Sequence, residues 1–550
     1  MLSFNKVPKV GVDESGLCDS ANLGPSVHSP VSAVHRVLLC DELLTHILAV
    51  YDVFESPPIN RSLEANSRRE LALLARVCKV ISEVALNILW RCLDEPYPLI
   101  SLLRISQDDA EESSIVPPRF LYYGTRIRIL NAGAEYIVVW LIRNVKQMTS
   151  RPFPRLTRLI VNTDPLDHVS DVQLFIVPSL RSLTLTLCPR ENPALSGLLD
   201  TIHRTAPYID ELQLEWHKYV LMRTVDVCEV LRGIIKFQHL RKLSTDLEIS
   251  VYPGLIKTLS KLPTLQSLEF KSYVSDTRNI SWNFFASSTG IAALRSITLY
   301  GSLPMILALL PALHRCSIVT CNIIIEDTLE AIVDGCHRDR QPQLAHDIVS
   351  LSSTLQSLVL QTEEPRRTHF QPQYPYRILR ADFIQEFLGT RLLDVELMYI
   401  DGDDITDSLC HAMSLAWPEL RILRLESSSP LTGPPAHMVT LTGLKYFALY
   451  CPDLRSITMQ VNGTGNKWQD EIDATVHFNA TTLENLNLNG SLVDSPRPVA
   501  MFLRWCFPGV RNIESRCRDT FEVRDLTAQR AWDEVVSLVQ DYRLSSEQAI

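Results

Sequence analysis

The chain lacks a basic excess: 53 Lys and Arg face 63 Asp and Glu, a formal net charge of −10. General binding to a phosphate backbone needs a positive field, so nucleic acid is not an expected partner. Long apolar runs are missing as well. Spanning a bilayer takes about 20 consecutive apolar residues, and patches such as 137–142 are far shorter, so no membrane association is expected. Residues 1–34 are polar and Pro/Ser/Gly-containing, without an apolar stretch. They read as a disordered N-terminus and not as a secretory leader. The 13 cysteines show no paired spacing. Without a leader they are expected to be reduced, mostly buried thiols in the cytoplasm or nucleus.

Catalytic signatures are equally scarce. There is no GxxxxGKS/T, no GxGxxG opening a helix, no GxSxG and no HExxH. Asp401, Asp403 and Asp404 lack the remaining ligands of a calcium loop and read as an acidic turn. Cys316, Cys321 and the Cys336–His337 pair lack the second half of a zinc site. His203, His217 and His411 have no evident partners. No catalytic, metal or cofactor residue is therefore expected, and the chain is not expected to be an enzyme.

What is present is a folded composition, 46% hydrophobic, in 550 residues, too many for one small core. The main signal is internal repetition. Aligned on one leucine, the phrases FPRLTRLIV (153–161), VPSLRSLTL (177–185), APYIDELQL (206–214), FQHLRKLST (237–245), LPTLQSLEF (262–270), IAALRSITL (291–299), LPALHRCSI (310–318), SSTLQSLVL (352–360), TRLLDVEL (390–397), WPELRILRL (417–425), CPDLRSITM (451–459), TTLENLNL (481–488) and FPGVRNIES (507–515) repeat one pattern, with GTRIRIL (124–130) as an earlier member. Many spacings fall between 24 and 34 residues, with 19 between Leu294 and Leu313 and 42 between Leu313 and Leu355. Such a period means a solenoid. The end of each phrase alternates like a half-buried strand. The stretches 195–207, 224–238, 405–418 and 437–452 carry apolar residues at helical intervals, often closed by Pro. Strand then helix, repeated, predicts an α/β fold with parallel strands on a concave face and helices on a convex one. An ordinary α/β domain with helix–strand units is the alternative.

These phrases resemble the leucine-rich repeat superfamily, in its irregular helix-containing form, over roughly 120–517. The Asn or Cys that usually follows the strand is mostly missing; Asn487 and Asn489 lie near such a place.

Ahead of the repeats, HRVLLCDELLTHILAVYDVF places Leu39, Leu43, Ile47 and Val50 at three- and four-residue intervals. A polar insert at 55–66 reads as a loop. Ser67 with Glu70 fits a capping box, predicting a helix start there, with Leu71, Leu74, Val77 and Cys78 on one apolar face. A further helix carries Val84, Ala85, Ile88 and Leu89 and ends near WRCL. Three short helices form a poor independent core.

LCDELLTHIL and LALLARVCKVISEVALNILWRCL resemble the F-box, with Cys40 where that family usually has Pro. The resemblance implies that the chain is the substrate-recognition subunit of an SCF ubiquitin ligase. It would dock a Skp adaptor, and through it a cullin, with Leu39, Cys40, Glu42, Leu43, Ile47, Leu74, Val77 and Cys78. Its repeats would bind a substrate protein whose identity the sequence does not name. Four alternatives stay open: a helical unit that only closes the end of the solenoid, a repeat scaffold acting outside ubiquitination, a regulatory F-box protein whose adaptor complex recruits no cullin, and a hidden hydrolase. The expected organisation is a disordered 1–34, an F-box-like domain at 35–93, a linker at 94–118, a solenoid at 119–517, and a capping helix and tail at 518–550. That last helix is expected at 528–544, with Trp532, Val535, Val536, Val539 and Tyr542 on one side.

Overall fold

The computed structural model describes residues 41–48, 61–94, 97–103, 118–132, 151–162, 169–187, 192–216, 224–246, 254–271, 290–326, 340–351, 353–363, 380–400, 405–427, 439–465, 482–515 and 523–547. Leu39, Cys40, the 1–34 segment, His217, Cys336, His337, Asp401, Asp403 and Asp404 lie outside them. The chain divides into two compact units, 1–90 and 91–550.

The first unit contains three helices, α1 (Asp41–Leu48), α2 (Arg61–Leu74) and α3 (Lys79–Leu89). Leu44 and Leu48 from α1, Leu71 from α2 and Val84, Ala85 and Ile88 from α3 form its core. One expectation needs correcting. Helix α2 begins at Arg61, inside the segment read as a loop, so Ser67 is mid-helix and not a cap. The stretch RSLEAN holds good helix formers, and propensity outweighed the cap motif. In α1 the core is filled by a different pair from the apolar row read in the sequence. Leu44 and Leu48 are buried, while Leu43 and Ile47, about 100° away on the helical wheel, are exposed. Between α2 and α3, Ala75, Arg76 and Val77 form a turn that donates back to Leu71, Leu73 and Leu74. Cys78 then takes an extended backbone as the N-cap of α3, without a side-chain cap bond.

The second unit is built on one sheet. Its strands are β1 (Cys92–Leu93), β2 (Ile129–Ala132), β3 (Arg158–Asn162), β4 (Ser182–Leu187), β5 (Glu211–Trp216), β6 (Lys242–Thr245), β7 (Ser267–Lys271), β8 (Ser296–Gly301), β9 (Thr320–Glu326), β10 (Ser357–Glu363), β11 (Asp394–Ile400), β12 (Ile422–Ser427), β13 (Ser456–Thr458), β14 (Asn462–Gly463), β15 (Asn485–Asn487), β16 (Leu492–Val493) and β17 (Asn512–Glu514). Fifteen of them pair in chain order, β1 through β13, then β15 and β17, and every pairing is parallel. The short β14 and β16 pair beside it. A sheet in which each strand neighbours the next in sequence, all parallel, requires every connection to cross the same way. Among the described residues, helices lie in most of those crossings: α4 (Tyr97–Leu103), α5 (Pro118–Gly124), α6 (Asn192–Thr205), α7 (Thr224–Ile234), α8 (Leu255–Leu259), α9 (Leu303–Leu313), α10 (Gln341–Leu351), α11 (Ala381–Gln385), α12 (Asp407–Ala416), α13 (Leu441–Tyr450) and α14 (Pro496–Cys506), while α15 (Val523–Glu547) follows the last strand.

One backbone ladder runs through the repeats. The residue after each anchor donates its N–H to its counterpart in the preceding repeat: Thr157 to Arg128, Arg181 to Thr157, Asp210 to Arg181, and so on to Arg511, which donates to Glu484. The ladder gives the true anchors. Leu313, in the phrase at 310–318, is the last residue of α9, and the anchor there is Ile318, leading into β9. The uneven spacings of 19 and 42 become 24 (Leu294 to Ile318) and 37 (Ile318 to Leu355). The helix 303–313 is so uniformly apolar that leucine spacing could not tell its last residue, Leu313, from an anchor. The sheet also starts earlier than the phrases did, at β1, which pairs with β2.

Three turns close in the same way. Trp417, Cys451 and Phe507 each precede a Pro and leave the helical region, with φ of −121, −118 and −131°. Each N–H completes the last helical bond, to Met413, Phe447 and Leu503. Each carbonyl then accepts from the next anchor, Leu420, Leu454 and Val510. A hydroxyl before the anchor satisfies the neighbouring anchor's carbonyl: Ser179 to Leu156 (2.9 Å), Thr264 to Leu240 (2.8 Å), Thr354 to Ile318 (3.1 Å) and Thr482 to Leu454 (2.9 Å). In a chain poor in the usual turn Asn, these hydroxyls leave fewer buried acceptors orphaned. Asn487 does make the expected kind of turn, its Oδ1 accepting from Asn489 N at 3.1 Å.

Helix α15 is longer than the 528–544 expected. Trp532, Val535 and Val539 are buried and Val536 is half-buried; the side chain of Tyr542 lies outside the described set. Trp532 Nε1 donates to Ser491 O at 2.9 Å, and the helix packs on α14 and β16.

Candidate functional site

The first candidate surface lies on the three-helix unit. With Leu44, Leu48 and Leu71 committed to the core, Leu43 (44%), Ile47 (51%), Leu73 (56%) and Val77 (65%) are left to solvent. Glu42 and Cys78 are exposed, and Leu74 is half-buried. Glu42, Leu43 and Ile47 share α1, Leu74 ends α2, and Val77 and Cys78 occupy the turn before α3. Large apolar side chains left exposed on so small a unit are the feature that marks an interaction surface. Leu73 was missed by sequence reasoning. The α2–α3 turn takes Val77 off the helical period, so the face extrapolated through Leu74 and Val77 was the wrong one for locating it.

The second candidate is the face of the sheet opposite its buried leucines. Strand side chains alternate, so Leu183, Leu212, Leu243, Leu268 and Ile297 line up inward in register while polar residues line up outward. The outward residues interact both along and across strands. Ser182 Oγ donates to Glu211 (3.0 Å), and Gln213 Nε2 donates to Glu215 (2.7 Å). Lys271 meets Glu269 at 3.0 Å; Arg424 meets Glu426 at 2.6 Å and Glu396 at 3.7 Å. Asp394, at the start of β11, has its pKa raised by burial, partly offset by Arg421.

Among the groups considered for chemistry, those in the described residues pack against neighbours. Cys321 points inward on β9, and burial pushes its thiol up to about 12. Cys316 is buried and accepts from Ile291 N at 3.3 Å, and burial raises its pKa too. His203 packs edge-on against Phe237, and His411 lies 4.3 Å from the Tyr446 ring centroid. Among the described residues no group of three or more His, Cys, Asp or Glu could hold a metal ion. No helix among them is long and apolar enough to cross a membrane.

The repeated turn, parallel strand and crossover helix in chain order define the second unit as a leucine-rich-repeat solenoid of the α/β class. No family model matches the chain, and no curated protein matches it in sequence. Among solved structures, it is similar to an internalin (InlF) from Listeria monocytogenes, with 14% identity over 70% of this chain and 97% of that one, at a TM-score of 0.33. The leucine-rich repeat-containing protein LegL7 from Legionella pneumophila gives 12% identity over 68% and 97%, at 0.33. A yeast structure of the Rad7 and Elc1 complex gives 14% over 64% and 82%, at 0.32. Overlaps of this size do not establish a fold; the strand order does so by itself.

Proposed function

We propose that the chain is the substrate-recognition subunit of an SCF-type ubiquitin ligase. The three-helix unit is the F-box, docking a Skp adaptor and through it a cullin. The solenoid holds a substrate protein, and the working compartment is cytoplasm or nucleus. The chain performs no bond chemistry itself; it contributes proximity.

The observation that carries this reading is the exposure of Leu43, Ile47, Leu73 and Val77 on a unit whose sequence register resembles an F-box. Apolar anchors on short helices supply energy when a partner groove covers them, and Glu42 nearby fixes register.

Purified full-length chain is expected to form a stable complex with purified Skp adaptor. Leu43→Asp combined with Ile47→Asp is expected to weaken that complex at least about a hundredfold, the loss of two buried anchors of 1.5–3 kcal/mol each. Circular dichroism should stay unchanged, because neither side chain is in the core. No complex with the intact chain would sink the adaptor reading and leave a repeat scaffold acting outside ubiquitination. Adaptor binding without cullin recruitment would remove only the ligase.

A further inference from the structure

The ladder that registers the repeats also lines up arginines from distant parts of the chain. The position after each anchor is Arg128, Arg181, Arg241 and Arg295 at every second strand from β2 to β8, and Arg421, Arg455 and Arg511 further on. All seven are exposed. Successive members lie 34 to 126 residues apart in sequence, in a chain of net charge −10. Strands are about 4.8 Å apart, so the first four arginines fall about 10 Å from one another and cover about 29 Å of the edge where the strands begin. Among the described residues none of the seven is within ion-pair distance of a carboxylate. Two are held in place by the following turn. Arg181 Nη1 donates to Tyr208 O at 3.0 Å with its guanidinium 5.2 Å from the Tyr208 ring, and Arg295 Nη1 donates to Ser317 O at 3.2 Å. The remaining guanidinium donors of each are directed by that contact, so less side-chain freedom is lost on binding.

We propose that this arginine row is a docking edge for an acidic segment of a protein partner laid across the strands. Guanidinium forks match carboxylates in a bidentate geometry. The row is not uniform: Asp210 stands between Arg181 and Arg241, and Glu484 between Arg455 and Arg511. The sheet face beside it carries Glu211, Glu269, Asp394 and Glu396. A continuous polyanion would meet those carboxylates as like charges. A protein segment can set acidic side chains against the arginines and neutral or basic ones against the carboxylates. The proposal deepens the reading of the solenoid as the partner-holding unit and rests on it, but it does not depend on the adaptor.

The test uses the full chain and a fluorescein-labelled poly-glutamate peptide, read by fluorescence anisotropy. Binding is expected at low salt and should fade near 0.5 M NaCl, where the Debye length drops to about 4 Å. Arg181→Glu, Arg241→Glu and Arg295→Glu together are expected to weaken binding at least about tenfold, from contributions of about 0.5 kcal/mol or more each. A control reversing Arg204, Arg232 and Lys257, which lie on the helices, changes net charge equally and should shift binding less than about twofold. If the reversed row loses its circular dichroism signal, the Arg→Gln triple at the same positions decides instead. No binding by the intact chain, or row variants within twofold of it, overturns the proposal. Tighter binding of oligo-dT than of poly-glutamate, lost in the same variants, overturns it in favour of nucleic acid. The row variants should still bind the Skp adaptor and the Leu43/Ile47 variant should still bind poly-glutamate, so the two readings fail separately.

Discussion

At the residue scale, one position per repeat does most of the organising. Leu156, Leu180, Ile209 and their counterparts are fully buried, and each is followed by a residue whose N–H and carbonyl both belong to the ladder. Cys321 shows how burial governs chemistry here. Its thiol pKa rises from an ordinary 9.0 to about 12 because the thiolate has no solvent. The folded state therefore holds that proton more tightly than the unfolded state. The stabilisation is complete below pH 9.0 and is lost as pH rises from there toward about 12. The urea midpoint is expected to fall between pH 8 and pH 10.5, with about 2 kcal/mol of the loss due to this thiol. In Cys321→Val that part of the fall should vanish; an unchanged slope would show that the thiol is not responsible. The inward place of Cys321 was legible only in part. Sequence reading saw a thiol too isolated for zinc, but it set the anchor of this repeat at Leu313, and so could not assign Cys321 to the inward row of β9.

At the element scale, adjacent helices are joined by specific contacts. Asp407, the first residue of α12, accepts from Thr440 N (2.8 Å) and Thr440 Oγ1 (2.7 Å), and Thr440 in turn caps α13 by accepting from Thr442 N. Gly443 lets α13 come this close. A Cβ there would lie 2.5 Å from Val439 Cγ1 and 2.8 Å from Asp407 Oδ1. Gly443→Ala would gain about 1 kcal/mol in helix propensity, yet it is expected to destabilise by about 1–3 kcal/mol through crowding at that junction. A higher urea midpoint for the variant would show that the helices can separate without cost. Helices α6, α7, α12 and α13 were legible as elements because each carries an uninterrupted helical period before a Pro or turn. The start of α2 was not, because S-x-x-E at 67–70 also occurs within helices whose preceding residues are polar helix formers.

At the scale of the whole molecule, a solenoid has ends. Each repeat is buried by its neighbours, and the last one needs another cover. Helix α15 packs at that end, through Trp532, Val535 and Val539. Trp532→Ala should cost about 3–5 kcal/mol of local stability. Hydrogen exchange is expected to accelerate first in β15 and β17, with β3 to β8 still protected. Uniform acceleration across all strands would mean that the solenoid unfolds as one cooperative body and not from its end.

The sequence by itself determined the architecture class, because strand alternation, helical period and pre-proline stops are local properties repeated often enough to be unmistakable. It also located the three-helix unit and most of its core-forming segments. Tertiary structure decided which side of each element faces out. Leu43 and Leu44 are neighbours of equal hydrophobicity, and only packing against α3 buries Leu44 and leaves Leu43 in solvent. It likewise decided that arginines scattered over almost 400 residues form one row. Stacking repeats at strand spacing brings together positions that no linear window contains.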